Sequence, residues 1–320
     1  MKITRFAIAV LAVSMIGACS KPDNTSHPAP TYTTYSSMNT VYDMLRAQPM
    51  YTTINSTTGG SFYSASGTRY VFDPACFMDG TGGPVTGNVQ IAVTEYLKKG
   101  DMIFSKMLPV SNNEPLLSGG EVSVYATQGG KELFLRPGYY YQAIIPQGGT
   151  PMPGMTYFAG NPAQDTAVNK VNWNNKIDST GGHGAFGMVV YQGDSLDIIS
   201  DSLHECNADQ FMTSPDYQNF NVTIAVTGAV LGSNHVFGYT LYDTYKGVWP
   251  LGEIGSYSNG VFNEMHVPNI PVHFAVFTLI NNRFYGGVTA ATPASGSNYN
   301  VTLTEVDPVA FKGQLNNLVK

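Results

Sequence analysis

The sequence predicts an all-β protein: tandem antiparallel β-sandwich domains behind an amino-terminal signal and a flexible tether, with a short C-terminal helix. Three observations predict it. The first is composition: of 320 residues, 43% are hydrophobic and only 12% charged, with 20 Tyr, 16 Phe and 34 Gly. The charged share is about half the usual one, and the chain is too apolar and aromatic for disorder. Tyr, Thr and Val suit a pleated sheet, whereas Gly and Asn suit tight turns. The second is period-two alternation of apolar and polar residues in several short stretches. The third is the regular spacing of those stretches between glycine-rich turns, the pattern of an antiparallel sandwich.

At the amino end, Lys2 and Arg5 precede an apolar run from Phe6 to Ile16. That run is too short for a membrane span, which takes about 20 apolar residues. Residues 1–18 therefore read as an export signal. Ile16-Gly17-Ala18-Cys19, ahead of Ser20, resembles the lipobox of bacterial lipoproteins. The resemblance implies cleavage after Ala18 and lipid attachment to Cys19. Two or more acyl chains anchor stably where one binds only marginally, so the expected partner is a membrane, reached through the lipid on Cys19. The segment 19–50 follows as the lipidated cysteine and tether. Its stretch KPDNTSHPAPTYTTYSS is rich in Pro, Ser and Thr. A short helix is expected from Thr40 to Ala47, capped by Asn39 and stopped before Pro49.

Residues 51–147 read as an N-terminal β-sandwich. Val89 to Glu95 and Glu121 to Tyr125 alternate as half-buried strands do, and Tyr139 to Ile145 is a further strand closed by Pro146. Residues 148–218 form an irregular middle β region, with loops at Pro151, Pro153 and Gly154 and a strand at Met188 to Gln192. Alternation returns in 219–305, expected to be an immunoglobulin-like sandwich. Its strands fall at Asn221–Thr227, Val236–Tyr242, Val272–Ile280 and Asn300–Glu305, with turns at Asn281-Asn282 and Gly286-Gly287. Residues 306–320 begin with Asp307-Pro308, a cap followed by a first-turn proline, and continue as a short helix.

Several of these segments together resemble a known group. They are Gly59-Gly60, Gly67-Thr68, Val71-Phe72-Asp73-Pro74, Asp79-Gly80, Pro84-Val85-Thr86-Gly87, Val93-Thr94-Glu95-Tyr96 and Asp101-Met102-Ile103. Their layout is similar to the first domain of secreted Bacteroidota lipoproteins with tandem, immunoglobulin-like β-sandwiches. Met155 to Gly160, Val171-Asn172-Trp173 and Cys206 to Phe211 resemble that group's middle segment, and Val267 to Pro271 with Tyr285-Gly286-Gly287 its last sandwich. The resemblance implies a fold and carries no activity. Cys76 departs from it, since a small residue other than cysteine is expected there.

A formal net charge of −6 argues against nucleic acid, or an anionic bilayer surface, as the partner. With Cys19 assigned to lipid, Cys76 and Cys206 remain. In an oxidising envelope they can form a disulfide; as buried thiols they would behave as small hydrophobes.

Chemical motifs are weak. Gly182 to Gly187 has the glycine spacing of a dinucleotide loop, but a polar turn precedes it and strand-like residues follow. His204-Glu205 begins like a zinc-protease signature, yet the second histidine's position is Ala208. Asp194, Asp197, Asp201, Glu205 and Asp209 recur every three or four residues. On a helix they could hold a cation such as calcium, but like charges four apart destabilise a helix, so a solvated acidic loop is expected and no metal is assigned. No nucleophile elbow is present, and no cofactor is implied. Tyr239, Tyr242, Tyr245 and Trp249 are candidate platforms for stacking sugar rings; as strand residues they equally suit a core.

The expectation is a non-enzymatic, lipid-anchored outer-membrane protein of the cell envelope, acting as a structural or interaction module. The alternative is a surface glycan-binding lipoprotein of a polysaccharide uptake system. Its partners would be other envelope proteins or polysaccharide, and the surface and periplasmic faces both stay open.

Overall fold

The computed structural model describes residues 33–163, 168–175, 187–213, 216–231, 235–251 and 260–318. The signal, Cys19, most of the Pro-rich tether and most of the Gly182–Gly187 loop lie outside the described residues. No helix among those described is long and apolar enough to cross a membrane.

Helix α1 (Met38–Leu45) opens the described body. Ser37, not Asn39, caps it: its Oγ accepts from the Thr40 amide at 3.3 Å. Strands β1 (Met50–Asn55), β2 (Gly60–Tyr63), β3 (Arg69–Phe72), β4 (Phe77–Met78) and β5 (Asn88–Tyr96) follow. Helix α2 (Lys99–Ser105) has no counterpart in the sequence reading, because its seven residues, about two turns, are too short to show a clear 3.6-residue period. After it come β6 (Val110–Ser111), the 15-residue β7 (Glu114–Gln128), β8 (Lys131–Glu132), β9 (Phe134–Leu135) and β10 (Tyr141–Pro146). Next are β11 (Thr156–Pro162), β12 (Val171–Asn174), β13 (Gly187–Gln192), β14 (Ser195–Ser200) and β15 (His204–Phe211).

These strands build one sandwich. The first sheet runs β1-β5-β7-β15-β11-β12, with β6 and β8 also pairing β7; the second runs β13-β14-β10-β3-β2. The segment 148–218 is therefore not a separate irregular region. Its β15 pairs β7 and its β14 pairs β10, completing both sheets of the sandwich that residue 50 begins. Alternate residues fill the interior: Val89, Ile91 and Val93 from β5, Val122 and Val124 from β7, Tyr141, Ala143 and Ile145 from β10, and Cys206 and Ala208 from β15.

The remaining strands are β16 (Tyr217–Val226), β17 (Val236–Tyr242), β18 (Val248–Pro250), β19 (Val261–Pro268), β20 (Val272–Ile280), β21 (Arg283–Ala291) and β22 (Asn298–Glu305), and helix α3 (Pro308–Asn316) follows. Their pairing order is β18-β17-β20-β21-β22-β16-β19, antiparallel except for the parallel β16–β22 pair. The turn at Asn281-Asn282 is present, with both residues at positive φ, 50° and 64°, as a two-residue hairpin demands. Gly286-Gly287 is not a turn but lies inside β21. A Cβ at Gly286 would stand 2.7 Å from the Phe311 ring, and one at Gly287 would strike the Thr302 carbonyl. Close packing, not chain reversal, requires glycine there.

Strand β20 is apolar on both faces. Val272, Phe274 and Val276 join the C-terminal core, whereas Ala275 and Phe277 point into a second cluster. That cluster collects Val41, Tyr42 and Leu45 of α1, Met102, Ile103 and Phe104 of α2, and Phe311 and Leu315 of α3. Tyr96, Phe158 and Trp173 from the outer face of the first sheet enter the same cluster. The helices are thus the filling between the first sandwich and the C-terminal strands. Asp307 caps α3, accepting from the Ala310 amide at 2.9 Å, as the sequence predicts.

Candidate functional site

The inner face of the first sheet is apolar, but its outer face carries a polar band. Strand alternation puts Thr94 of β5, Ser123 of β7 and Glu205 of β15 side by side, because Thr94 pairs Ser123 and Ser123 pairs Glu205. Gly160 of β11 continues this rung: a Cβ there would lie 2.5 Å from the Glu205 Cβ and 2.9 Å from the Val171 side chain. One residue pair further along, Tyr96, Glu121, Asn207 and Phe158 form the next rung.

Above the first rung the sheet is open. A cleft of about 410 Å³ is floored by Thr94, Ser123, Glu205 and Gly160, with Tyr96 and Tyr125 beside them. Its walls are Arg46, Ala47 and Pro49 after α1, Ser105 and Met107 at the end of α2, and Asn161, Pro162, Lys170 and Val171 of the β11–β12 hairpin. Backbone ties hold the walls. The Ala47 amide donates to Ser105 Oγ at 2.9 Å, and the Lys170 amide donates to the Lys106 carbonyl at 2.8 Å. Trp173 Nε1 anchors the hairpin by donating to the Leu108 carbonyl at 2.9 Å.

Glu205 is the cleft's carboxylate. The Tyr125 hydroxyl donates to its Oε1 at 2.6 Å and Ser123 Oγ at 3.4 Å, while Tyr96 OH stands 3.3 Å from Ser123 Oγ. Burial, and next the hydrogen bond to Glu205, push the Tyr125 phenol well above its ordinary pKa, so it remains a donor. Arg46 and Lys170 supply positive charge, and both side chains are exposed. His204, next to Glu205 on β15, holds an unusual φ of 89°. Its ring lies 5.1 Å from that of Tyr125, and its Nε2 is 2.7 Å from Glu132 Oε1. A floor of hydroxyls around one oriented carboxylate, with two cations at the wall, can bind a polar ligand that offers both donors and acceptors.

The second rung is closed over. Glu121, Asn207 and Asp209 are all fully buried. Burial drives both carboxyls well above the ordinary carboxylate range; for Glu121 the neighbouring Asp209 charge adds to it.

The five acidic residues do not gather. Asp194 is exposed in the turn before β14, Asp197 is buried on β14 in the second sheet, and Asp201 lies between β14 and β15. Glu205 and Asp209 sit on β15 in the first sheet. The segment is two strands rather than a solvated loop, because Leu196, Ile198, Cys206 and Ala208 give each strand a core face. Among the described residues no group of three or more His, Cys, Asp or Glu side chains could hold a metal ion.

The expected stacking platforms are core residues instead. Tyr239, Tyr242 and Trp249 are 1%, 0% and 4% exposed, and Tyr245 packs half-buried on the C-terminal core. Tyr239 stacks on Phe277 at 5.7 Å, so its ring face is taken by protein. The disulfide is not formed. Cys76 and Cys206 are free thiols within one apolar core, and Cys206 Sγ lies 3.0 Å from the Tyr141 hydroxyl. Burial, the main cause, raises both thiols to about 12, which keeps them un-ionised.

Sequence reasoning singled out Glu205 but missed its neighbours. Thr94 and Ser123 sit at the polar positions of two recognised strands, a signal that located the outer face without showing which strands adjoin. Arg46 and Lys170 carry no local signal.

No family model matches the chain, and no curated protein matches it. Among solved structures, the Bacillus anthracis TIE protein aligns at 8% identity over 81% of this chain, with a TM-score of 0.19. This chain spans 35% of the length of that structure. A TM-score this low establishes no common fold.

Proposed function

We propose that the chain is a non-enzymatic, lipid-anchored protein of the cell envelope that works as a structural or interaction module. The observation that supports this reading best is the aromatic cluster shared by α1, α2, α3, the first sheet and β20. It ties sandwich, helices and C-terminal strands into one stiff body, suited to presenting a surface at a fixed place on a tether. The export signal and the lipobox-like Ile16-Gly17-Ala18-Cys19 supply the anchor. Fractionation of cells expressing the full chain tests it. Wild type is expected with the membranes and Cys19→Ser in the soluble fraction; wild type in the soluble fraction overturns the reading.

A second reading, a surface glycan-binding lipoprotein of a polysaccharide uptake system, draws on the cleft over Thr94, Ser123 and Glu205. Its volume of about 410 Å³ lies within the range of small-ligand sites. Sugar hydroxyls donate and accept at once, matching a carboxylate acceptor, hydroxyls of both kinds, and cationic donors. Calorimetry with a panel of oligosaccharides tests it: binding by wild type, and binding weakened about tenfold or more by Glu205→Gln, is expected. Equal binding by both removes the cleft from the account.

A further inference from the structure

At the second rung, Glu121 and the neighbouring Asp209 are buried together. Strands β7 and β15 lose register between Ala208 and Asp209, which sets Asp209 across from Ser118 while Glu121 faces Asn207. Asn207 Nδ2 donates to Asp209 Oδ2 at 2.5 Å, and Ser118 Oγ donates to Asn207 Oδ1 at 3.1 Å. The other three carboxyl oxygens, Glu121 Oε1 and Oε2 and Asp209 Oδ1, have no hydrogen-bond partner among the described residues. Both side chains are fully buried, and no Lys, Arg or His among those residues pairs with either.

An uncompensated buried carboxylate is expensive, and two side by side more so. One shared proton would leave a negative charge without a counter-charge. Two protons would require both groups to stay un-ionised at neutral pH. A single cation of charge +2 neutralises the pair and satisfies the three orphaned oxygens at once. We propose that Glu121 and Asp209, flanked by Asn207 and Ser118, bind a divalent cation that clamps β7 to β15. The donors are oxygens, without thiolate or imidazole, so the class of ion is hard and calcium-like rather than zinc-like. This clamp lies beside the cleft on the same face of the sheet, since Glu121 pairs Asn207, two residues along β15 from Glu205.

The test uses the full mature chain, purified without chelator. Elemental analysis is expected to find about one divalent ion per chain. Calcium at about a hundred times its dissociation constant, against EDTA, is expected to raise Tm by about 5 °C. Glu121→Gln with Asp209→Asn is expected to lose both the ion and the shift. Glu205→Gln, which leaves the pair intact, is expected to keep both. Wild type decides the matter even if the double variant fails to fold. A metal-free wild type whose Tm ignores calcium and EDTA overturns the proposal, as does an ion retained by the folded double variant. Stability that falls as pH rises from 5 to 8 in metal-free buffer, with no response to calcium, identifies a protonated pair instead and equally overturns it.

Discussion

The Tyr42 hydroxyl of α1 lies 3.4 Å from the Tyr239 hydroxyl of β17, with both residues buried. Both rings also meet Phe277, which is stacked at 5.2 Å on Phe104 and at 5.7 Å on Tyr239 and packs edge-on against Phe311 at 5.8 Å. One ring of β20 therefore touches all three helices, since Tyr42 meets it as well at 6.3 Å. Replacing it leaves a cavity where the sandwich, the helices and the C-terminal strands join. Phe277→Ala is expected to cost about 3–5 kcal/mol, read from urea unfolding. It is also expected to split a single transition into two, because the shared cluster couples the parts. An unchanged midpoint would remove the joint from the account.

The buried thiols make stability depend on alkali. Cys206 has its pKa raised from 9.0 to about 12, first by burial. The folded state therefore keeps a proton that the unfolded state releases. The stability this represents is fully present below pH 9 and is lost between pH 9 and 12, at about 1.4 kcal/mol per pH unit. Lys99, lowered to about 8 mainly by burial, acts in the opposite sense between 8 and 10.5, so the comparison is between wild type and Cys206→Ala. The variant is expected to show a shallower fall in urea midpoint from pH 9 to 11. Parallel curves would contradict a buried, free Cys206 thiol.

Gly160 is a test of how the cleft floor is built. Its missing side chain makes room for Glu205 and Val171. Gly160→Ala is expected to destabilise by about 1–3 kcal/mol and to turn Glu205 away from Tyr125. Calorimetric unfolding measures the first effect, and a crystal structure of the variant shows the second. A variant as stable as wild type, with the 2.6 Å Tyr125–Glu205 contact intact, would contradict the packing.

Alternation made most strands legible. Val236–Tyr242 and Val272–Ile280 coincide with β17 and β20, because each carries apolar residues that both layers need. The acidic stretch from Asp194 to Asp209 reads as a loop but folds as two strands, since its charges hide the apolar partners Leu196, Ile198, Cys206 and Ala208 that face the core. Nothing local tells a polar strand position that lines a cleft from one sealed in the interior; Glu121 and Ser123 alternate identically, yet only Ser123 lines the cleft. Which strands neighbour one another decides that, and the β7–β15 pairing joins residues 80 to 95 positions apart, from His204 with Val124 to Phe211 with Leu116. The Tyr and Trp residues proposed for sugar stacking failed for a related reason. Tyr239, Tyr242 and Trp249 sit on strands buried on both faces, and Tyr245 packs against the C-terminal core.

Ligand binding in the cleft separates the wall from the core. Removing the oriented carboxylate by Glu205→Gln is expected to weaken oligosaccharide binding about tenfold or more, as loss of a charged hydrogen-bonding group does. Arg46→Ala and Lys170→Ala are expected to weaken it less, because both are exposed and screened. Trp249→Ala is expected to lower Tm and leave the affinity of the folded fraction unchanged, since Trp249 is a core residue. Isothermal titration at a temperature where each variant is folded distinguishes these outcomes. Loss of affinity in Trp249→Ala alone would put the ligand elsewhere.

The anchor is the central claim, and intact-mass spectrometry of the protein extracted from its own membranes tests it most directly. The account predicts a mature chain beginning at Cys19, heavier than its peptide mass by two or three acyl chains and the glycerol that carries them. A mature chain whose Cys19 thiol is unmodified, or one that retains residues 1–18, would contradict it.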